Sequence, residues 1–167
     1  MAPISTVLEI GQPEERWVAV TLPCGHKGFI QVGDGEIKQA PFKRSRLSPE
    51  QMVALAIRFL GIPYLWGGTS PLGVDCSGFA QLIYRLSGVE ILRDAGIQYT
   101  SSGLLEIPKG QEKAGDLIFF GGKSISHVGM MISDHEFIHA STHEKPVVQI
   151  SGLRDAYWQR IYQGCRR

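Results

Sequence analysis

At 167 residues the chain is long enough for one domain, or one domain with a small appendage, and for a core that needs no disulfides; 43% hydrophobic and 20% charged residues mark it as globular. Its 17 basic residues are scattered among 16 acidic ones for a formal net charge of +1, which gives no case for a nucleic acid or an anionic membrane surface as partner. Cys24, Cys76 and Cys165 are odd in number and far apart, which excludes a disulfide framework and a zinc-finger pattern and leaves at least one thiol free.

Met1-Ala2-Pro3-Ile4-Ser5-Thr6 has neither a basic start nor a long apolar core, so no signal peptide is expected. No apolar run approaches the ~20 residues of a membrane span. The expected compartment is the cytoplasm, with secretion or the cell envelope as the alternative if an export signal has been left off.

Residues 1–40 alternate short β-type runs with turns. Runs at 7–10, 17–22 and 28–32 are divided by Gly11-Gln12-Pro13 and by Pro23-Cys24-Gly25-His26, and the last precedes Gly33-Asp34-Gly35. The order Trp-Val-x-Val, turn, Gly-Phe-Ile resembles the middle and end of a bacterial SH3-like domain, of the kind that precedes cell-wall enzymes. Residues 1–40 are few for such a barrel, so a partial one is expected. Cys24 and His26 lack a second ligand pair and read as turn residues rather than a metal site. Residues 41–47, with Pro41-Phe42-Lys43-Arg44-Ser45-Arg46, read as a basic linker.

From residue 48 onward the pattern changes. Ser48-Pro49-Glu50-Gln51 combines a cap, a proline at the first helical position and a glutamine three residues on, predicting a helix that runs to Leu60 and ends at Gly61. Tyr64-Leu65-Trp66-Gly67-Gly68 is a glycine-rich approach to Gly73-Val74-Asp75-Cys76-Ser77-Gly78-Phe79. Apolar residues at 79, 82, 83 and 86 predict a helix with Asp75 as cap, Cys76 first and Ser87-Gly88 as stop. A thiol there sits among unpaired backbone N–H groups at the positive end of the helix, which should lower its pKa from the free value of about 8.5. A free cysteine is otherwise commonly a small buried hydrophobe. The two glycines, acidic cap and neighbouring hydroxyl of Ser77 favour a reactive turn.

A short helix capped by Asp94 is expected over 95–99, then strands at 117–120, 127–133, 136–140 and 147–151. Gly121-Gly122-Lys123-Ser124 lacks the spacing of a phosphate loop. The piece 154–167, with Tyr157, Trp158 and Ile161, should pack back on the domain, and the flank of Cys165 suggests no reactivity. Helices first and antiparallel strands afterwards argue for an α+β fold. Across a hairpin turning near Asp134-His135, His127 and His139 are expected to face one another with their rings in contact. His127 then accepts the Cys76 proton and His139 orients it.

Taken together, Tyr64-Leu65-Trp66-Gly67-Gly68, Asp75-Cys76-Ser77-Gly78-Phe79, Ala114-Gly115-Asp116-Leu117, His127-Val128-Gly129 and Ile138-His139-Ala140 resemble the NlpC-type cysteine peptidases of bacterial cell walls. The resemblance covers residues from about 48 to 153 of a peptidase domain placed at 48–167. It implies a minimal papain-like fold, with Cys76 as nucleophile, His127 as general base and His139 as the third polar residue. The implied reaction is hydrolysis of the bond between γ-D-glutamate and a diamino acid in peptidoglycan stem peptides, murein tripeptide or tetrapeptide, by a monomer with no cofactor and no metal. By the same resemblance Tyr64 and Trp66 line the substrate beside Asp75 and Ser77, with Tyr64 at the oxyanion site. Arg93-Asp94 matches a pair that helps hold a free L-alanine amine, and Ala95 offers no hydroxyl there. The alternatives are a cell-wall amidase or cross-bridge peptidase of the same fold, a non-catalytic wall-binding module, and a zinc site formed by Cys76, His127 and His139.

Overall fold

The computed structural model describes residues 8–22, 24–38 and 45–167. The chain divides into two compact units between residues 43 and 44. Residues 39–44, which include the start of the expected linker, residues 1–7, with Val7 of the first expected run, and Pro23 of the second turn lie outside the described residues.

The first unit is an antiparallel meander of β1 (Glu9–Pro13), β2 (Trp17–Thr21) and β3 (Lys27–Gln31). Alternation along β2 buries Val18 and Val20 and leaves Trp17 outside. This sheet is consistent with a small SH3-like segment. Cys24 and His26 are both exposed on the turn, and no group of three or more metal-ligating side chains occurs among the described residues.

In the second unit, α1 (Pro49–Ile57) begins with the expected capping box, Ser48 accepting from the Gln51 N–H while Gln51 accepts from the Ser48 N–H. It ends three residues before the expected Leu60, because the N–H groups of Phe59 and Leu60 turn back to carbonyls three residues earlier. A two-stranded ribbon, β4 (Thr69–Ser70) and β5 (Gly73–Val74), leads into α2 (Cys76–Leu86) and α3 (Ala95–Ser101). The rest is β6 (Glu106–Ile107), β7 (Leu117–Gly121), β8 (Ile125–Met131), β9 (Glu136–Ser141), β10 (Val147–Gly152), α4 (Ala156–Ile161) and β11 (Tyr162–Arg166). Six of these strands form one antiparallel sheet in the order β10-β9-β8-β7-β11-β6, an α+β architecture.

The period-2 alternation of the sheet sorts two cores. Leu117, Phe119, Val128, Met130, Ile138, Ala140 and Val148 meet Phe79, Leu82 and Ile83 of α2. Ile118, Phe120, Met131 and Phe137 meet Trp158 of α4. The C-terminal piece does more than pack back: β11 lies inside the sheet between β7 and β6, with Cys165 fully buried and Arg167 bridging both carboxylate oxygens of Asp116. Among the described residues no helix is long and apolar enough to cross a membrane.

Candidate active site

The N-terminus of α2 is organised by one carboxylate. Asp75 caps the helix by accepting from the Gly78 N–H at 2.7 Å and ties in the preceding loop by accepting from the Gly67 N–H at 2.9 Å. Arg93 donates to both its oxygens, at 3.0 and 2.6 Å, and also to Ser77 Oγ at 2.9 Å. Burial by itself would raise the Asp75 pKa, but the Arg93 guanidinium and these N–H groups together hold it below the usual carboxylate value. The glycines have a steric reason. Gly67 takes a positive φ of 77°, and a Cβ at Gly78 would run into the Gly68 carbonyl, so only glycine lets the loop lie on the first turn of the helix.

Cys76 is the first residue of α2, half-buried, with its thiol against the backbone N–H of Val128, one residue from His127. Burial raises its pKa, and the N–H groups of Val128, Ser77 and Cys76 itself only partly offset this. The expected lowering at the helix end is therefore overturned: the loss of hydration outweighs the helix terminus. Burial, reinforced by His143, also lowers His127, to about 4. Between about pH 4 and the raised thiol value the two groups together hold one proton.

His127 Nε2 lies 2.8 Å from His139 Nδ1, and His139 Nε2 lies 3.0 Å from Ser151 Oγ. The two rings meet as expected, but not as directly opposed residues. The observed register sets Met130 opposite Ile138, which brings His139 beside Gly129 and leaves His127 diagonal to it on the same face. Gly129 makes this possible, since a Cβ there would approach Phe137 Cδ2 to 2.6 Å and His139 Cβ to 3.2 Å. Trp158 covers the pair, stacked on His127 at 5.4 Å between centroids and edge-on to His139 at 4.9 Å. His139 is fully buried, and His143, stacked on Tyr157, joins His127 in lowering its pKa further.

The remaining residues expected on the substrate side separate into three groups. Tyr64 is half-buried beside Cys76, whose charge, after desolvation, is the next cause raising the phenol pKa. Asp75, Ser77 and Arg93 form the hydrogen-bonded cluster above. Asp94 precedes α3 without capping it and is exposed, and Trp66 projects outward with 86% of its surface exposed. Sequence reasoning missed Ser151, Gly129 as the residue that admits His139, and Gln98. The buried Gln98 amide donates to the carbonyls of Ser77 and Leu92 and so ties the Arg93 loop to α2. Ser151 stands in a strand as any alternating serine would, and only the polar signal of His139 on the neighbouring strand could have drawn attention to it.

A thiol at the start of a helix, backed by a buried row of imidazoles on an antiparallel sheet, places the protein among the papain-like thiol-hydrolase folds. Residues 61–167 match the NlpC/P60 family, and the chain belongs to that family. It is 36% identical over 152 residues to a gamma-D-glutamyl-L-lysine dipeptidyl-peptidase of Bacillus cereus, covering 89% of this chain and 45% of that protein. It is 39% identical over 113 residues to the murein DD-endopeptidase MepH of Escherichia coli, covering 65% of this chain and 41% of that one. A crystal structure of an NlpC/P60 family protein from Bacillus cereus superposes with a TM-score of 0.86 at 33% identity, covering 99% of this chain and 54% of that chain. The chain thus spans about half the length of these relatives.

Proposed function

We propose that the protein is a cysteine endopeptidase that hydrolyses the γ-D-glutamyl to diamino acid bond of peptidoglycan stem peptides. The observation that carries this reading is the placement of Cys76 at the head of α2 against Val128 N–H, next along the strand to a His127 whose Nε2 is held by His139. His127 Nδ1 is then the nitrogen left for the thiol. The Cys76 sulfur attacks the amide carbonyl as His127 takes its proton; His127 gives that proton to the leaving amine; water then hydrolyses the thioester with His127 again as base. Backbone N–H groups at the start of α2 and the Tyr64 hydroxyl stabilise the tetrahedral oxyanion. Membership of the NlpC/P60 family and the dipeptidyl-peptidase name of the Bacillus cereus relative support the bond chosen.

The exposed Asp94 carboxylate beside Arg93 suits the free amine of an N-terminal L-alanine, which points to released tripeptide or tetrapeptide as substrate. The proposal includes action as a monomer, in the cytoplasm, on peptide released from the wall. A cross-bridge peptidase is the second reading, favoured by the likeness to the murein DD-endopeptidase.

The test is incubation of the protein and its Cys76→Ala variant with L-Ala-γ-D-Glu-diaminopimelate, with and without an acetyl group on the alanine, and product identification by mass. Release of L-Ala-D-Glu from the uncapped peptide alone, and only with Cys76 present, is expected. Cleavage of a cross-linked dimer with both tripeptides left intact would replace this reading with the second.

A further inference from the structure

The row of polar groups behind the thiol does not stop at the second histidine. His139 is fully buried, its Nδ1 is taken by His127 at 2.8 Å, and its Nε2 is taken by Ser151 Oγ at 3.0 Å. A neutral imidazole has one N–H and one lone pair, so the hydrogens along this row can run in only two ways. In one, His127 Nε2–H donates to His139 Nδ1, His139 Nε2–H donates to Ser151 Oγ, and His127 keeps the lone pair on Nδ1. In the other, Ser151 O–H donates to His139 Nε2, His139 Nδ1–H donates to His127 Nε2, and His127 carries its hydrogen on Nδ1. Only the first leaves a nitrogen able to take the Cys76 proton. It also survives that transfer, because the imidazolium still donates from Nε2 to a His139 nitrogen that already accepts.

We propose that Ser151 is a positioning residue whose hydroxyl oxygen, by accepting from His139 Nε2–H, fixes the tautomers of both histidines and leaves His127 Nδ1 free for the Cys76 proton. No proton moves through Ser151 in the reaction; it sets which way the row points. The inference rests on the thiol-peptidase reading above for its catalytic consequence, but the tautomer assignment itself does not need a substrate. Without the hydroxyl, a buried His139 Nε2–H has nothing to donate to, and an unsatisfied buried donor is costly. His139 then moves its hydrogen to Nδ1 and donates to His127 Nε2, which forces His127 into the form that cannot act as base. A misoriented tautomer of this kind is a large catalytic defect even when the geometry is intact.

The variants are Ser151→Ala and Ser151→Thr in the full chain. Histidine 15N spectra at neutral pH report the tautomers directly. The expected result is Nε2–H for His127 and His139 in the wild type and in S151T, and Nδ1–H for His139 in S151A. With the tripeptide, S151A should lose at least about tenfold in kcat at little changed KM, and S151T should recover most of it. The rate of Cys76 alkylation by iodoacetamide at neutral pH should fall in S151A alongside kcat. Wild-type tautomers in S151A would overturn the proposal whatever happens to the rate, since a rate loss would then come from packing alone. An altered tautomer with undiminished kcat and alkylation would overturn its catalytic part. If the wild type cleaves no peptide, the peptidase reading fails, while the spectra and alkylation rates still decide the role of Ser151. Ser151 is half-buried on β10, so S151A should fold; if it does not, Ser151→Cys, a weak acceptor, makes the same comparison.

Discussion

The two halves of the site are built by opposite means. The thiol half is a loop and a helix start, residues 67–78, held around the Asp75 carboxylate by hydrogen bonds to residues two to eight positions away, with Arg93 as the one distant clamp. The imidazole half has no local order. His127, His139 and Ser151 follow one another at intervals of 12 positions, come from three strands, and meet because the register and the bare Cα of Gly129 let them lean together under Trp158. Damage to the first half should therefore appear as lost stability, whereas damage to the second should appear as lost chemistry on a folded protein.

The largest effect that would test this contrast is at Asp75. Asp75→Ala leaves the N–H groups of Gly67 and Gly78 and the Arg93 guanidinium without their shared acceptor, and breaking a buried pair from one side costs on the order of 3 kcal/mol. A drop of that order in urea-unfolding free energy is expected. An unchanged midpoint would show that the thiol half does not depend on its carboxylate.

Gly129→Ala comes next. The new methyl presses on Phe137 and His139, so a cost of roughly 1–3 kcal/mol is expected, with a loss of kcat at 25 °C larger than that cost alone would produce in a protein still folded. Near-normal kcat in folded G129A would remove the argument that glycine positions the histidines.

Third is the pH response of the imidazole half. His127 titrates near 4 in the folded protein against 6.5 when unprotected, so its folded pKa is depressed. The linked stability is present above 6.5 and drains away as the pH falls towards 4, because the unfolded chain takes up the proton first. Urea midpoints should fall across that window and fall less in His127→Gln. The acid limb of kcat/KM should lie near 4, and a limb at 6.5 would show that the imidazole is not desolvated in the working enzyme. The smallest effect is expected at Trp66, whose exposure leaves it no packing to lose. Trp66→Ala should change stability by less than about 0.5 kcal/mol, with any change confined to KM.

This division also explains what could be read in advance. Asp75 as cap, Cys76 as first helical residue, the capping box at Ser48 and the apolar face of α2 all follow from neighbours within one turn, and short-range patterns survive in any tertiary setting. The α+β order and the shared face of His127 and His139 follow from the period-2 strand pattern, which carries facing without register. The offset that pairs His139 with Gly129, the insertion of β11 between β7 and β6, and the reach of Ser151 and Gln98 depend on residues far apart in the chain. So does the thiol pKa. The helix end that should lower it is visible in the sequence, but the burial that raises it belongs to the assembled domain.

By itself the sequence determined the helix end on which the thiol sits and the carboxylate that caps it, because capping, dihedral preference and apolar spacing act over a few residues. The tertiary structure alone decided how the imidazoles connect, that their row ends on Ser151, and how far burial shifts the protons they share, because register, close approach and desolvation exist only once distant strands have met.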